Sequence, residues 1–295
     1  MQLAFDLISD LHISTWEGEF DWSGRATSPH CVVLGDVCED RASLYKTLEH
    51  LGKCYQAVFY VDGNDEHVDF FNDLGFSYQE MSQRIGQIPN VVYLQDNVVV
   101  INGVAILGTN GWWGFDFDNT IDPEAVRDWW CERYSYTHDN YNAIRRASTT
   151  DANYLIASVK KLQTHRDVKK IVIATHTVPM PDLIAHDIDL ANKLKFNTMG
   201  NRHMLNALNV DTEHKIDTWC FGHYHGKVDQ YRDGVRYVNN CRTWTNTMVT
   251  ICVSSTACGC RLLNCFGFQF DLERIVLRSS TYSDFNTFLL GNLIR

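Results

Sequence analysis

The sequence predicts an α/β fold, and three observations carry that prediction. Short apolar runs of strand length recur along the chain: LAFDLI at 3–8, CVVL at 31–34, AVFYV at 57–61, KIVIAT at 170–175 and WCF at 219–221. Runs this short and this apolar read as buried strands. Each ends in a short loop carrying Asp, Asn or His, and stretches of helical period follow, such as 41–53 with Leu44, Leu48 and Leu51 on one face. Ligands in open α/β sheets bind outside the carboxyl ends of the strands, so these loops are expected to meet there.

The remaining elements follow from local signals. After Gly63-Asn64 a helix is expected to open with Asp65 and Glu66, because acidic residues favour a helix N-terminus. VVYL (91–94), VVVI (98–101) and VAIL (104–107) read as strands, the last two joined by the hairpin signal Asn102-Gly103. Residues 108–150 are rich in aromatics and acids and read as a lid-like insertion, with one or two helices, in a domain spanning 1–245. Within it, Trp112 and Trp113 either wall a cleft or pack over the sheet end. A long helix is predicted over 139–164, shorter ones near 182–194 and 201–209, and a hairpin over 228–239 turning at Asp233-Gly234. Residues 246–295 form a C-terminal extension whose cysteines match no zinc-ribbon spacing.

Composition narrows the function classes. At 295 residues the chain is long enough for a large core, and its net charge of −10 argues against a broad basic surface for duplex nucleic acid. The opening MQLAFDLISDLH lacks the basic region of a signal peptide, and no apolar run approaches the length of a membrane span. The ten cysteines show no disulfide-framework spacing, so reduced thiols in a cytoplasmic protein are expected.

The chemistry is concentrated in SDLHI (9–13), GDVCED (35–40), GNDEH (63–67), THTVP (175–179) and GHYH (222–225). These supply Asp10, His12, Asp36, Asn64, His176, His223 and His225 as candidate metal ligands. Mixed imidazole and carboxylate shells suit borderline divalent ions, Mn²⁺ foremost, with Fe, Zn²⁺ or Ni²⁺ as alternatives. Two neighbouring cations need an anionic bridge, for which Asp36 is the candidate. Asp10 and His12 would point to opposite faces of a regular strand, so the strand is expected to be ending by His12. Asn64 offers a neutral oxygen, which keeps one ion a stronger Lewis acid. Two ions about 3.5–4 Å apart would activate a bridging water, polarise phosphoryl oxygens and hold an ester for in-line attack.

The order of motifs resembles the calcineurin-like metallophosphoesterases, whose pattern is D-x-H, G-D-x-x-D, G-N-H-D/E, an isolated H and G-H-x-H. The resemblance spans residues 9–242, and ILGTNGWWGFDF and YVNNCR (237–242) look like segments of small bacterial and phage members. It implies a two-sheet β-sandwich flanked by helices, a four-layer αββα arrangement. It also implies one metal on Asp10, His12, Asp36 and His225, a second on Asp36, Asn64, His176 and His223, and hydrolysis by a metal-bridging hydroxide.

Two departures from the pattern matter. Glu39 stands at the second acidic position of G-D-x-x-D, with Asp40 one place late, and Asp65 stands where the family has a histidine that stabilises the transition state or protonates the leaving oxygen. An aspartate beside two cations stays ionised and is a poor proton donor. Family members lacking that histidine are often phosphodiesterases, so a phosphodiester substrate is expected. The alternatives are a phosphomonoesterase acting on proteins or nucleotides, with His67 as the missing donor, and a non-catalytic metal-binding scaffold. His67 reads otherwise as a solvated helix histidine. Asp65 and Glu66 read equally well as helix caps or as residues with a direct role in the site, Asp65 as a catalytic candidate, and Arg242 as either a substrate-phosphate contact or a surface residue.

Overall fold

The computed structural model describes residues 2–185, 192–241, 249–254 and 275–278. The first sheet contains β1 (Gln2–Ile8), β2 (His30–Leu34), β3 (Ala57–Val61) and β4 (Val91–Tyr93), all parallel. The second contains β5 (Asn97–Ile101), β6 (Val104–Thr109), β7 (Lys170–Thr175), β8 (Ile216–Phe221), β9 (Lys227–Arg232) and β10 (Val235–Asn240). Two later strands, β11 (Val249–Ser254) and β12 (Ile275–Arg278), pair antiparallel with β1 and β5. The orders are β11-β1-β2-β3-β4 and β12-β5-β6-β7-β8-β10-β9.

The central strands are largely apolar because both of their faces are covered. Phe5, Val32, Leu34 and Val61 point between the sheets and meet Ile106, Val172, Ala174 and Val238. The intervening residues Cys31, Val33, Val58 and Tyr60 turn outward, against Leu44, Leu48 and Leu51 of α1 (Arg41–Cys54) and Met81 and Ile85 of α2 (Leu74–Ile85). On the far side Leu107, Ile171, Ile173 and Trp219 pack against the long helix over His138–Gln163, through Leu155, Val159 and Leu162. The result is the helix–sheet–sheet–helix layering expected from the motif order. The two hairpins also form: Ile101 faces Val104 across Asn102 (φ 52°) and Gly103 (φ 79°), and Val235 faces Arg232 across Asp233 (φ 50°) and Gly234 (φ 84°).

Residues 108–150 contribute α3 (Pro123–Tyr134) and the start of α4 (His138–Gln163). Their aromatics Trp112, Phe115, Trp130 and Tyr141 form a separate cluster with Phe71. One helix expectation needs correction. Asp65–His67 is a single 3-10 turn, and α2 begins only at Leu74, capped by Asp73, which accepts the Phe76 N–H at 3.0 Å. Glu66 is drawn away from any capping role by backbone partners described below. Of the helix expected near 182–194, residues 186–191 lie outside the described residues; to either side, Pro181–Leu183 and Lys193–Phe196 form short turns, and Leu183, Ile184 and Phe196 enter the core. Arg242 lies outside the described residues. Among the described residues no helix is long and apolar enough to cross a membrane.

Candidate metal centre

Every candidate ligand lies just past the carboxyl end of a strand: Asp10 and His12 after β1, Asp36 after β2, Asn64 after β3, His176 after β7, and His223 and His225 after β8. Four of them adopt left-handed backbone: Asp10 (φ 53°), His12 (φ 42°), Asp36 (φ 49°) and His223 (φ 63°). Such conformations cost of order 1–3 kcal/mol each and gather at functional sites. They also resolve the Asp10–His12 alternation. β1 stops at Ile8, and both side chains then reach toward His225. The β2 and β3 loops touch directly. A Cβ on Gly35 (φ 75°) would collide with the Gly63 backbone and come within 2.7 Å of His176 Nδ1, so glycine there lets Asp36 and Asn64 sit side by side.

The ligand atoms fall into adjoining groups. In one, His176 Nε2 lies 3.2 Å from His223 Nδ1, 3.1 Å from Asn64 Oδ1 and 3.4 Å from Asp36 Oδ2. In the other, His225 Nε2 lies 3.2 Å from His12 Nε2 and 3.3 Å from Asp10 Oδ1. Asp36 also groups with His12 and Asp65, so it adjoins both sides. The outer ring nitrogens are anchored: His176 Nδ1 on the Leu34 carbonyl at 2.8 Å, and His223 Nε2 on the Thr198 carbonyl at 3.0 Å. A ring N–H given to a carbonyl leaves the other nitrogen's lone pair facing inward, as metal ligation requires.

The site attracts positive charge. Burial alone would lower His176, yet the Asp36 carboxylate raises it to about 10. Burial also opposes protonation of His12, but the Asp65 hydrogen bond and the charges of Asp36 and Asp10 lift it to about 9. His223 is pushed down to about 4 by burial and by the neighbouring His176. Although burial works against ionisation, Asp36 is held below the usual carboxylate range by His176, and Asp10 by His225 and His176. Burial and Asp36 push the Asp65 carboxyl upward, against the pull of His12. Converging imidazoles, two low-lying carboxylates and an amide oxygen fit a pair of borderline divalent cations.

Glu66, for which the sequence left a helix cap and a direct role equally open, serves the site rather than a helix. Its buried carboxylate accepts backbone N–H groups from Gly63 (2.7 Å), Asp36 (3.1 Å), Val37 (2.6 Å) and Cys38 (3.3 Å), tying the two ligand loops together. Burial and Asp36 raise it to about 8. Asp40 caps α1, accepting the Ser43 N–H at 2.8 Å. His67 is not solvated. It is fully buried, with Nε2 2.7 Å from Asp62 and Nδ1 2.8 Å from Ser77, packed edge-on to Tyr78 and Trp112. A buried aspartate requires such a partner, which is why the ring turns inward rather than toward the metal-ligand cluster. Cys241 also contacts the centre, its Sγ 2.8 Å from Asp10 Oδ2.

A cavity of about 880 Å³ opens over these groups. His12, Asp36, Asn64, Asp65, His223 and His225 line it, with Glu39 beside them and Trp113, Trp130, Tyr136, Phe196 and Lys195 further out. Trp113 stacks on His223 with centroids 5.5 Å apart and planes 15° apart, while Trp112 lies beneath and donates to the Tyr78 hydroxyl at 2.6 Å.

The architecture matches a solved structure. The crystal structure of phosphopantetheinyl hydrolase from Mycobacterium tuberculosis superposes with a TM-score of 0.61, covering 81% of this chain and 89% of that one at 16% identity. The chain has the metallophosphoesterase fold. The resemblance read from the motif order is thus borne out at the level of the fold. In sequence, the chain is 20% identical over 209 residues to an uncharacterized protein of Acanthamoeba polyphaga mimivirus, covering 66% of this chain and 71% of that protein. No family model matches.

Proposed function

We propose that this chain is a dinuclear metal-dependent phosphoesterase that prefers phosphodiesters. The observation that carries the reading is the convergence of seven predicted ligands into two groups that both adjoin Asp36, with His12, Asp36, Asn64, His223 and His225 lining one cavity. A divalent pair there would supply an activated water and Lewis-acid polarisation of the phosphoryl oxygens. The chain's own residues do the rest. Leu34 and Thr198 carbonyls orient His176 and His223, Glu66 holds the two ligand loops at fixed separation, and Trp113 covers one face of His223.

The diester preference rests on charge and on the absence of a donor at the expected place. Asp65 and Glu39 line the cavity, and two carboxylates disfavour a dianionic monoester more than a monoanionic diester. His67, the substitute donor that a monoesterase would need, is buried with both ring nitrogens engaged. The test compares bis-p-nitrophenyl phosphate with p-nitrophenyl phosphate at equal Mn²⁺. Faster turnover of the diester is expected, and faster turnover of the monoester would overturn the preference.

A further inference from the structure

We propose that Asp65 is a positioning residue for the metal pair, a single carboxylate that orients a ligand of each ion. The proposal rests on the two-metal reading above. Three contacts define it. Asp65 Oδ2 lies 3.1 Å from His12 Nδ1, and Asp65 Oδ1 accepts from Asn64 Nδ2 at 2.8 Å. The Asp65 backbone N–H donates to Asp36 Oδ1 at 2.9 Å. His12 belongs to one ligand group, Asn64 faces His176 in the other, and Asp36 adjoins both.

Each contact specifies an orientation. A histidine that gives its Nδ1–H to a carboxylate keeps its lone pair on Nε2, the nitrogen that faces His225, and becomes a more basic ligand. An asparagine whose NH₂ is held by Asp65 must present its carbonyl oxygen on the opposite side, and Asn64 Oδ1 does lie 3.1 Å from His176 Nε2. The two ends of an amide are nearly alike in shape. Without that contact a flip would aim NH₂, a donor, at the place of a cation. The backbone contact takes Asp36 Oδ1 and leaves Oδ2 beside His176.

This arrangement also explains the residue type at 65. A neutral imidazole offers one acceptor nitrogen, whereas a carboxylate has two oxygens and satisfies both donors at once. The departure from the family pattern therefore exchanges a proton-donating group for an orienting one.

The test titrates Mn²⁺ into the chelator-stripped full chain by calorimetry, for the wild type, Asp65→Ala and Asp65→Asn. Circular dichroism confirms that each is folded. The wild type is expected to take up two ions. Asp65→Ala should still reach two at saturation, with both affinities weakened about 10- to 100-fold, the range for residues that orient metal ligands. Asp65→Asn should fall between, because its amide oxygen can accept from His12 while its NH₂ cannot accept from Asn64. Nitrogen-15 NMR of the Zn²⁺-loaded protein gives a second readout, with the Nδ1–H tautomer of His12 expected in the wild type and reduced in Asp65→Ala. Unchanged affinities or an unchanged His12 tautomer would overturn the proposal. Saturation of Asp65→Ala at one ion would overturn it too, by making Asp65 a ligand. A wild type that binds no ion pair would instead remove the two-metal reading itself.

Discussion

His67 and His176 are both fully buried and both lie against an aspartate, yet they do different things. Behind the cavity, His67 is shared between Asp62 and Ser77, and the remaining capacity of Asp62 is taken by the Tyr93 hydroxyl at 2.7 Å and Asn110 Nδ2 at 3.0 Å. Both oxygens of Asp62 and both ring nitrogens of His67 have a partner of complementary chemistry. At the cavity floor, His176 anchors one nitrogen on Leu34, but its other nitrogen faces Asp36, Asn64 and His223 together. One ring nitrogen cannot satisfy three such neighbours, whereas a cation among them can. Burial and a neighbouring charge are common to both clusters, so neither marks a functional histidine. The unfinished hydrogen bonding does.

The largest effect is expected where the open cluster loses its shared charge. Asp36→Asn should lower bound Mn²⁺ below two per chain, measured by elemental analysis, and cut diester turnover by more than the ~100-fold that an orienting residue costs. A surviving rate would place the bridge elsewhere. The closed cluster should respond in stability instead. His67→Ala leaves Asp62 buried without its imidazole, a loss expected to cost about 3–5 kcal/mol in urea unfolding. The folded variant should keep its Mn²⁺ affinity. A fall in affinity with unchanged stability would erase the distinction between the two clusters.

A smaller effect reports on the burial of Asp96. Burial raises Asp96 from 3.8 to about 6, with the nearby Asp62 charge adding to it and a Thr109 hydrogen bond opposing. A carboxyl with a raised folded pKa binds its proton more tightly in the native state. Its stabilising contribution is therefore full below about pH 4 and is lost as pH rises through about 6. Asp96→Asn should remove that decline, and Asn tolerates the left-handed backbone at this position (φ 49°). The wild type should lose stability relative to the variant between pH 4 and 6, followed by thermal unfolding. A constant difference across that window would show that folding does not raise Asp96.

What could be read in advance was whatever the chain writes locally. The strands announced themselves as apolar runs, the hairpins as Asn102-Gly103 and Asp233-Gly234, and the ligands as residues at strand ends. The partners of Glu66 were not legible, because they are backbone N–H groups, three of them about thirty residues upstream, and backbone leaves no mark in sequence. His67 misled for a related reason: its neighbours Asp62 and Ser77 were visible, but the 3-10 turn that aims the ring inward was not. The predicted helix opening at Asp65 failed on the same turn. Acidic residues after a strand can cap a helix or serve a neighbouring loop, and only the three-dimensional course of the chain decides between them.

The most direct test of the account is the anomalous scattering of Mn²⁺ in crystals of the full chain. Two peaks are expected at the cavity floor, about 3.5–4 Å apart, each in contact with an Asp36 oxygen, one flanked by His12 and His225 and the other by His176 and His223. A single peak, or peaks away from Asp36, would contradict it.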